Sequence, residues 1–264
     1  MSTLKEYNCV VYMVEAECQG PETGHRICNL KGEKSKTQFS VNMIRYHLYR
    51  WWAMKYEETA TVLVSDFRDV FFQSNPFEYH TKDWNFPKHD LVVFQEAHPL
   101  KTLGRCPFNS GWLQGCYGRK VLHMLSHNPV SCSGVSMGTR NGILAYAYMM
   151  TQHLNPKIRY GRPKSVNSKA PSNDGCISAG MDQGFHNYLV YSGALSKVMR
   201  VKIFQQGEGP VNTVGAFFPG ARALIKRSLQ DWQVLRGESG DFWFSNWNGD
   251  PSVNCATAPI LPRP

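Results

Sequence analysis

Residues 62–77 read VLVSDFRDVFFQSNPF, an apolar, β-branched run that leads straight into Asp66, Arg68 and Asp69 before a second apolar stretch reaches Pro76. Acidic residues at the carboxyl end of a buried strand face the crevice in which α/β proteins bind ligands. Asp66 and Asp69 are three residues apart on a bending chain. Both can reach one hard divalent cation and leave coordination positions for water and phosphate oxygens. Arg68 between them can pair with a carboxylate or with a diphosphate. The structural alternative is a strand-end turn in which Asp66 caps and Arg68 neutralises.

Outward from this segment, strands and helices alternate. On the amino-terminal side, 8–15 (NCVVYMVE) reads as a buried strand and 20–37 as a polar loop. Residues 39–56 carry Val41, Ile44, Leu48 and Trp51 or Trp52 at helical spacing, which predicts an amphipathic helix. On the carboxyl side, 91–95 (LVVFQ), 129–137, 201–205 and 241–244 read as strands, and 118–126, 141–154 and 181–191 as helices. This order predicts an α/β chain with a central, mostly parallel sheet flanked by helices.

The chain has 264 residues, 42% of them hydrophobic, with no internal repeat and no low-complexity linker. One globular domain over 1–264 is expected. The formal charge of +9 suits phosphate-bearing partners. The basic residues are scattered rather than gathered in a run, which argues against nucleic acid as the partner. No apolar stretch approaches the ~20 residues a membrane-spanning helix needs, and the polar N-terminus lacks a signal-peptide hydrophobic region. Eight cysteines show no zinc-type spacing. Cys106 with Cys116, or Cys132 with Cys176, are candidate disulfides, with free buried thiols as the alternative.

The pattern Asp66, Arg68, Asp69, Phe72, Gln73, Pro76, Phe77 resembles the D-x-D region of GT-A type glycosyltransferases that reads D-x-R-D-x-x-F-Q-x-x-P-F. Three further segments carry the resemblance over roughly residues 40–250. Arg45 and Tyr46 match the place of a basic residue used near the donor phosphates. CSGVSMGT (132–139) is similar to a small-residue strand on which Ser133 and Gly134 line the donor site, glycine allowing the sugar close to the backbone. MDQGFHNYL (181–189) matches a D-Q-x-x-x-N helix start whose Asp182 and Gln183 lie beside the transferred sugar.

The resemblance implies a GT-A (Rossmann-like) fold, with a mixed, mostly parallel central sheet flanked by helices, and metal-dependent sugar transfer. The donor would be a nucleotide-diphosphate sugar, with a UDP-sugar favoured, and the acceptor a carbohydrate or glycoprotein. It implies a Golgi or secretory setting. Mn²⁺ or Mg²⁺ would sit on Asp66 and Asp69. Spacing to Pro76 puts Phe67 and Asp69 at the two D-x-D positions, whereas the strand end favours Asp66. Both are carried as metal ligands, with Asp69 favoured as the direct one. Asp182 and Gln183 are the candidate catalytic pair, and Arg45, Tyr46, Asp66, Arg68, Ser133 and Gly134 the candidate donor-binding set.

The chain departs from the family in two places. Asn254 stands where a metal-binding histidine is common in the family, and an amide oxygen is the poorer ligand for a transition metal. Residues 1–38 hold one expected strand where the family has a strand and helix for the base, so a truncated or divergent first part is expected. His186 is read as a structural histidine. A catalytically impaired relative that binds sugars or proteins is the second functional reading, and an unrelated nucleic-acid-binding protein the third.

Overall fold

A computed structural model describes residues 12, 14–19, 27–30, 39–66, 75–79, 88–96, 102–154, 181–205 and 209–211. It is an α/β structure with a mixed four-stranded sheet and, beside it, a small antiparallel sheet of three short strands. The small sheet is β1 (Ala16–Gln19), β2 (Ile27–Leu30) and β3 (Phe39–Ser40), paired in that order. Here the sequence reading is corrected. Tyr12, Val14 and Glu15 lie outside any strand and are exposed, and Ile27–Leu30, expected in a loop, is a strand. Short strands separated by Gly, Pro and Lys carry no period long enough to reveal them.

The helix α1 (Val41–Ala53) follows β3, then come β4 (Thr61–Ser65), β5 (Leu91–Gln95), α2 (Pro107–Leu125), β6 (Ser131–Thr139), α3 (Arg140–Leu154), α4 (Met181–Tyr191) and β7 (Val201–Phe204). The main sheet has the order β4-β6-β5-β7. β4, β5 and β7 run one way and β6 the other, so only the β5–β7 pairing is parallel among the described strands. The sheet is mixed, as expected, but two of its three pairings are antiparallel, so the expectation that it is mostly parallel is corrected. The cause is α2, which starts and finishes at the edge where β5 ends. Leu103 N–H donates to Asn128 O at 2.9 Å, and Glu96 N–H to Val130 O at 2.7 Å. A chain that returns to the edge it left can only run back antiparallel.

α2 begins eleven residues before the expected start at 118, with Pro107 in its first turn, where a missing N–H costs nothing. Gly118, at φ 83°, breaks it into two arms. In α1 the buried face is Met43, Ile44 and Tyr46. Of the two tryptophans at the expected spacing, Trp52 is half-buried, whereas Trp51 is 45% exposed and lies under Lys55 Nζ at 4.1 Å from its ring centre.

β5 is buried throughout, and alternation sends Leu91 and Val93 to the core formed with α1, α3 and α4, while Val92 and Phe94 pack with Tyr79, Met137 and Phe204 on the opposite face. At the β6–α3 corner the chain closes on the Asp90 carbonyl so tightly that a Cβ on Gly142 would collide with it. Neither candidate disulfide forms: Cys106 and Cys132 are free thiols, whereas Cys116 is disulfide-bonded. Cys106 and Cys116 stand at opposite ends of one helical arm, about 15 Å apart at ~1.5 Å rise per residue, far beyond disulfide reach. Among the described residues, no helix is long and apolar enough to cross a membrane. Residues 241–244, expected as a strand, lie outside the described residues.

Candidate functional site

Because β4, β5 and β7 share a direction, their carboxyl ends share one edge of the sheet, and β6 starts there. Asp66 is the first residue past β4, and its N–H donates to Gly134 O at 2.7 Å. Between β5 and β6 the register jumps. Val93 pairs with Ser136 and Gln95 with Ser131, so two steps on β5 face five on β6, leaving three extra residues. Such a bulge frees backbone from the ladder and re-aims side chains. It turns Ser133 toward the helices and lays Gly134 against Asp66.

A Cβ added at Gly134 would stand 2.5 Å from Asp66 Oδ2. The clash is with the end of a side chain that is half exposed, so Gly134→Ala should displace Asp66 rather than unfold the protein. A Tm within about 4 °C of wild type is expected, with the Asp66–Arg45 separation opened beyond the ~4 Å limit of an ion pair. A thermal melt and a crystal structure of the variant check both. An unmoved Asp66 would show that the cradle does not depend on glycine.

Arg45 reaches the edge from α1 and joins two carboxylates. Its Nη1 donates to Asp66 Oδ1 at 2.6 Å, and its Nη2 to Asp182 Oδ2 and, at 3.4 Å, to Ser133 Oγ. Side-chain exposure separates the three: 50% for Asp66, 18% for Arg45 and 2% for Asp182. Asp182 Oδ2 also accepts from Ser133 Oγ at 3.2 Å and from Tyr46 OH at 3.4 Å. Burial works against the Arg45 cation, but Tyr46, Asp182, Tyr49 and Asp66 together outweigh it and raise its pKa. The guanidinium is a fixed charge. Its Nε is buried and has no hydrogen-bond partner among the described residues.

Beneath this group α4 is bolted to the start of β6. Gln183 Oε1 accepts from Ser133 N–H at 3.4 Å, and its amide donates to Asn109 Oδ1 on α2 at 3.4 Å. Asn187 replaces a missing strand neighbour: its Oδ1 accepts from Ser131 N–H at 2.8 Å and its Nδ2 donates to Ser131 O at 2.9 Å. His186 is buried between two hydroxyls, with Nδ1 2.7 Å from Tyr146 OH and Nε2 2.8 Å from Ser131 Oγ. Burial, with a smaller push from Arg45, lowers its pKa to about 3, so it is neutral and takes no proton near neutrality. The expected structural role of His186 matches this geometry. Tyr146 in turn meets Tyr46 edge to face, ring centres 5.9 Å apart.

Seven of the residues singled out in the sequence thus meet at one place: Arg45, Tyr46, Asp66, Ser133, Gly134, Asp182 and Gln183. Arg68, Asp69 and Asn254 lie outside the described residues. Sequence reasoning passed over Asn109, Ser131, Tyr146 and Glu96. It quoted Asn187 only as part of a motif. Glu96, the residue after β5, is a buried carboxylate, and no local pattern marks it.

Chemically, the edge offers one immobile cation, one half-exposed carboxylate and several amide and hydroxyl groups. Cys132 is not a nucleophile at neutral pH, since burial, helped by Glu96, pushes its thiol up to about 12. Among the described residues no group of three or more His, Cys, Asp or Glu could hold a metal ion. Among the described residues, Asp66 is the carboxylate of this edge that is exposed to solvent, and Asp182 is committed to Arg45. No protein-family model, curated protein or solved structure matches the chain.

Proposed function

We propose that the protein is a glycosyltransferase that moves a sugar from a nucleotide-diphosphate donor to a carbohydrate or glycoprotein hydroxyl. The observation that carries this reading is the meeting of Arg45, Asp66, Ser133, Gly134, Asp182 and Gln183, from four separate segments, at the carboxyl edge of the sheet. That is where an α/β sheet binds ligands. In this reading Arg45 supplies positive charge to the diphosphate, and Gly134 leaves the backbone approachable. Gln183, partly exposed, turns an amide toward the sugar. Asp182 is too buried to touch a substrate and acts as a positioning residue, holding Arg45. Asp66 and Asp69 would hold Mn²⁺ or Mg²⁺, which when bound offsets charge on the departing diphosphate.

A second reading is a sugar- or protein-binding relative without turnover. It is favoured by the state of the buried acid-base groups: Asp182 is held by three donors, and His186 does not take up protons. Calorimetry with several nucleotide diphosphates, with Mn²⁺, Mg²⁺ or chelator, together with a donor-hydrolysis assay, separates the two. Transfer or hydrolysis that needs metal is expected, and Asp69→Ala should lose that turnover together with the metal dependence of nucleotide binding. Binding without turnover selects the second reading. No binding under any condition removes both.

A further inference from the structure

We propose that Asp66 is a built-in competitor: its carboxylate occupies an oxyanion site on Arg45, and the phosphate oxygens of a diphosphate ligand take its place. The proposal rests on the reading above for the class of ligand, while its test involves no sugar, no metal and no turnover.

The two carboxylates on Arg45 are held very differently. Asp182 is almost wholly buried and receives hydrogen bonds from Arg45 Nη2, Tyr46 OH and Ser133 Oγ, so it fixes the guanidinium from below. Asp66 meets Nη1 from the solvent side, with half of its side chain exposed. An ion pair half in water is easily exchanged, whereas a buried one with three donors is not. A guanidinium presents its donors in a planar fork that fits carboxylate and phosphate oxygens alike, so the same Nη1 can serve either. Gly134 leaves Asp66 Oδ2 no Cβ to press against.

Charge reinforces the geometry. The Asp66 carboxylate stands on the Nη1 donor that a phosphate oxygen would use, and its negative charge opposes a diphosphate there until it moves or is neutralised. Removing the Asp66 charge should therefore strengthen anion binding. The gain must pass through Arg45. A general change in surface field would survive the loss of Arg45, and release of Nη1 would not.

The experiment is calorimetry with inorganic pyrophosphate in the presence of chelator. Asp66→Asn should bind roughly tenfold more tightly than wild type, the scale of one additional charge-assisted hydrogen bond. The same change made in an Arg45→Gln, Asp182→Asn background should strengthen binding by less than about twofold, which gives the cycle its coupling. That background removes the buried carboxylate with its cation and so avoids an orphaned charge. Equal affinity of Asp66→Asn and wild type, or an undiminished effect in the background, overturns the proposal.

A second readout needs no Arg45 variant. The side-chain carboxyl ¹³C resonance of Asp66 in the wild-type protein should move on saturation with pyrophosphate, and an unmoved resonance overturns the proposal equally. If the pyrophosphate results hold while no nucleotide sugar is turned over, the glycosyltransfer reading fails and the oxyanion site stands. Turnover without the pyrophosphate coupling has the opposite meaning.

Discussion

Replacing Arg45 by Gln is expected to destabilise the folded protein by about 3–5 kcal/mol, because it leaves a buried carboxylate without its cation. Asp182 shows 2% side-chain exposure and has Arg45 as its charged partner. Tyr46 and Ser133 donate to it, but hydroxyls do not neutralise a charge. For a chain of this size the loss corresponds to a Tm lower by roughly 10 °C or more. Adding Asp182→Asn should restore most of it, since an amide at 182 can still accept from both hydroxyls and brings no charge to be compensated. Asp66→Asn alone should change stability by less than about 1 kcal/mol, as expected for an ion pair half in water. Urea unfolding of the four proteins gives these differences directly. A single Arg45→Gln variant within about 1 kcal/mol of wild type would mean that Asp182 is not held as a charge by Arg45, and the fixed-cation picture of the site would fall with it.

That asymmetry was hidden in the sequence. Arg45 and Asp182 are 137 positions apart, and only the packing of α4 on β6 brings them together. What was legible was local: Leu91–Gln95 and Met181–Tyr191 have the bounds their hydrophobic patterns predict, because each is a short run between clear stop signals. The first arm of α2 was not legible, because PFNSGWLQG has the Pro, Asn, Ser and Gly of a turn, and its helix is fixed by packing of Leu113 and by Asn109. The direction of β6 was not legible either, since strand polarity depends on where α2 returns the chain. Ser133 and Gly134 could be singled out as small residues near a ligand. The bulge that aims them could not, because a register shift is a property of two strands and leaves no mark on one.

The polar scaffold under the site was the least visible part. Tyr146, Ser131 and Asn187 read as ordinary core-helix and strand residues, and their hydrogen bonds span 40 to 56 positions. A buried polar group costs stability unless its atoms find partners. The two ring nitrogens of His186 each find a hydroxyl, and Asn187 supplies a donor and an acceptor to the backbone of Ser131. The site residues are thus held by groups that never face solvent, and a search for exposed chemistry overlooks them.

The state of His186 leads to a stability that depends on pH, and its sign follows from linkage. In the folded protein its pKa is lowered to about 3, against 6.5 for an ordinary histidine. Between those values the unfolded chain binds a proton at this position and the folded chain does not, so acid favours unfolding. The contribution is complete above the unfolded pKa and is lost as pH falls through the window, at up to about 1.4 kcal/mol per pH unit, amounting to roughly 3 kcal/mol by pH 4. The groups that face the ring are Tyr146, Ser131 and, at longer range, Arg45, and none of them offers a negative charge that would welcome an imidazolium. His186→Gln keeps one acceptor and one donor for the two hydroxyls and removes the titration. It should cost about 1–2 kcal/mol at neutral pH, through imperfect hydrogen bonds, and should flatten the stability curve between pH 6.5 and 4 by about one proton. Urea unfolding of wild type and variant across that range measures the difference, and subtraction cancels the carboxylates and the other histidines, which are common to both. Parallel curves would mean that His186 takes up a proton without unfolding, and the neutral clamp between Tyr146 and Ser131 would have to be abandoned.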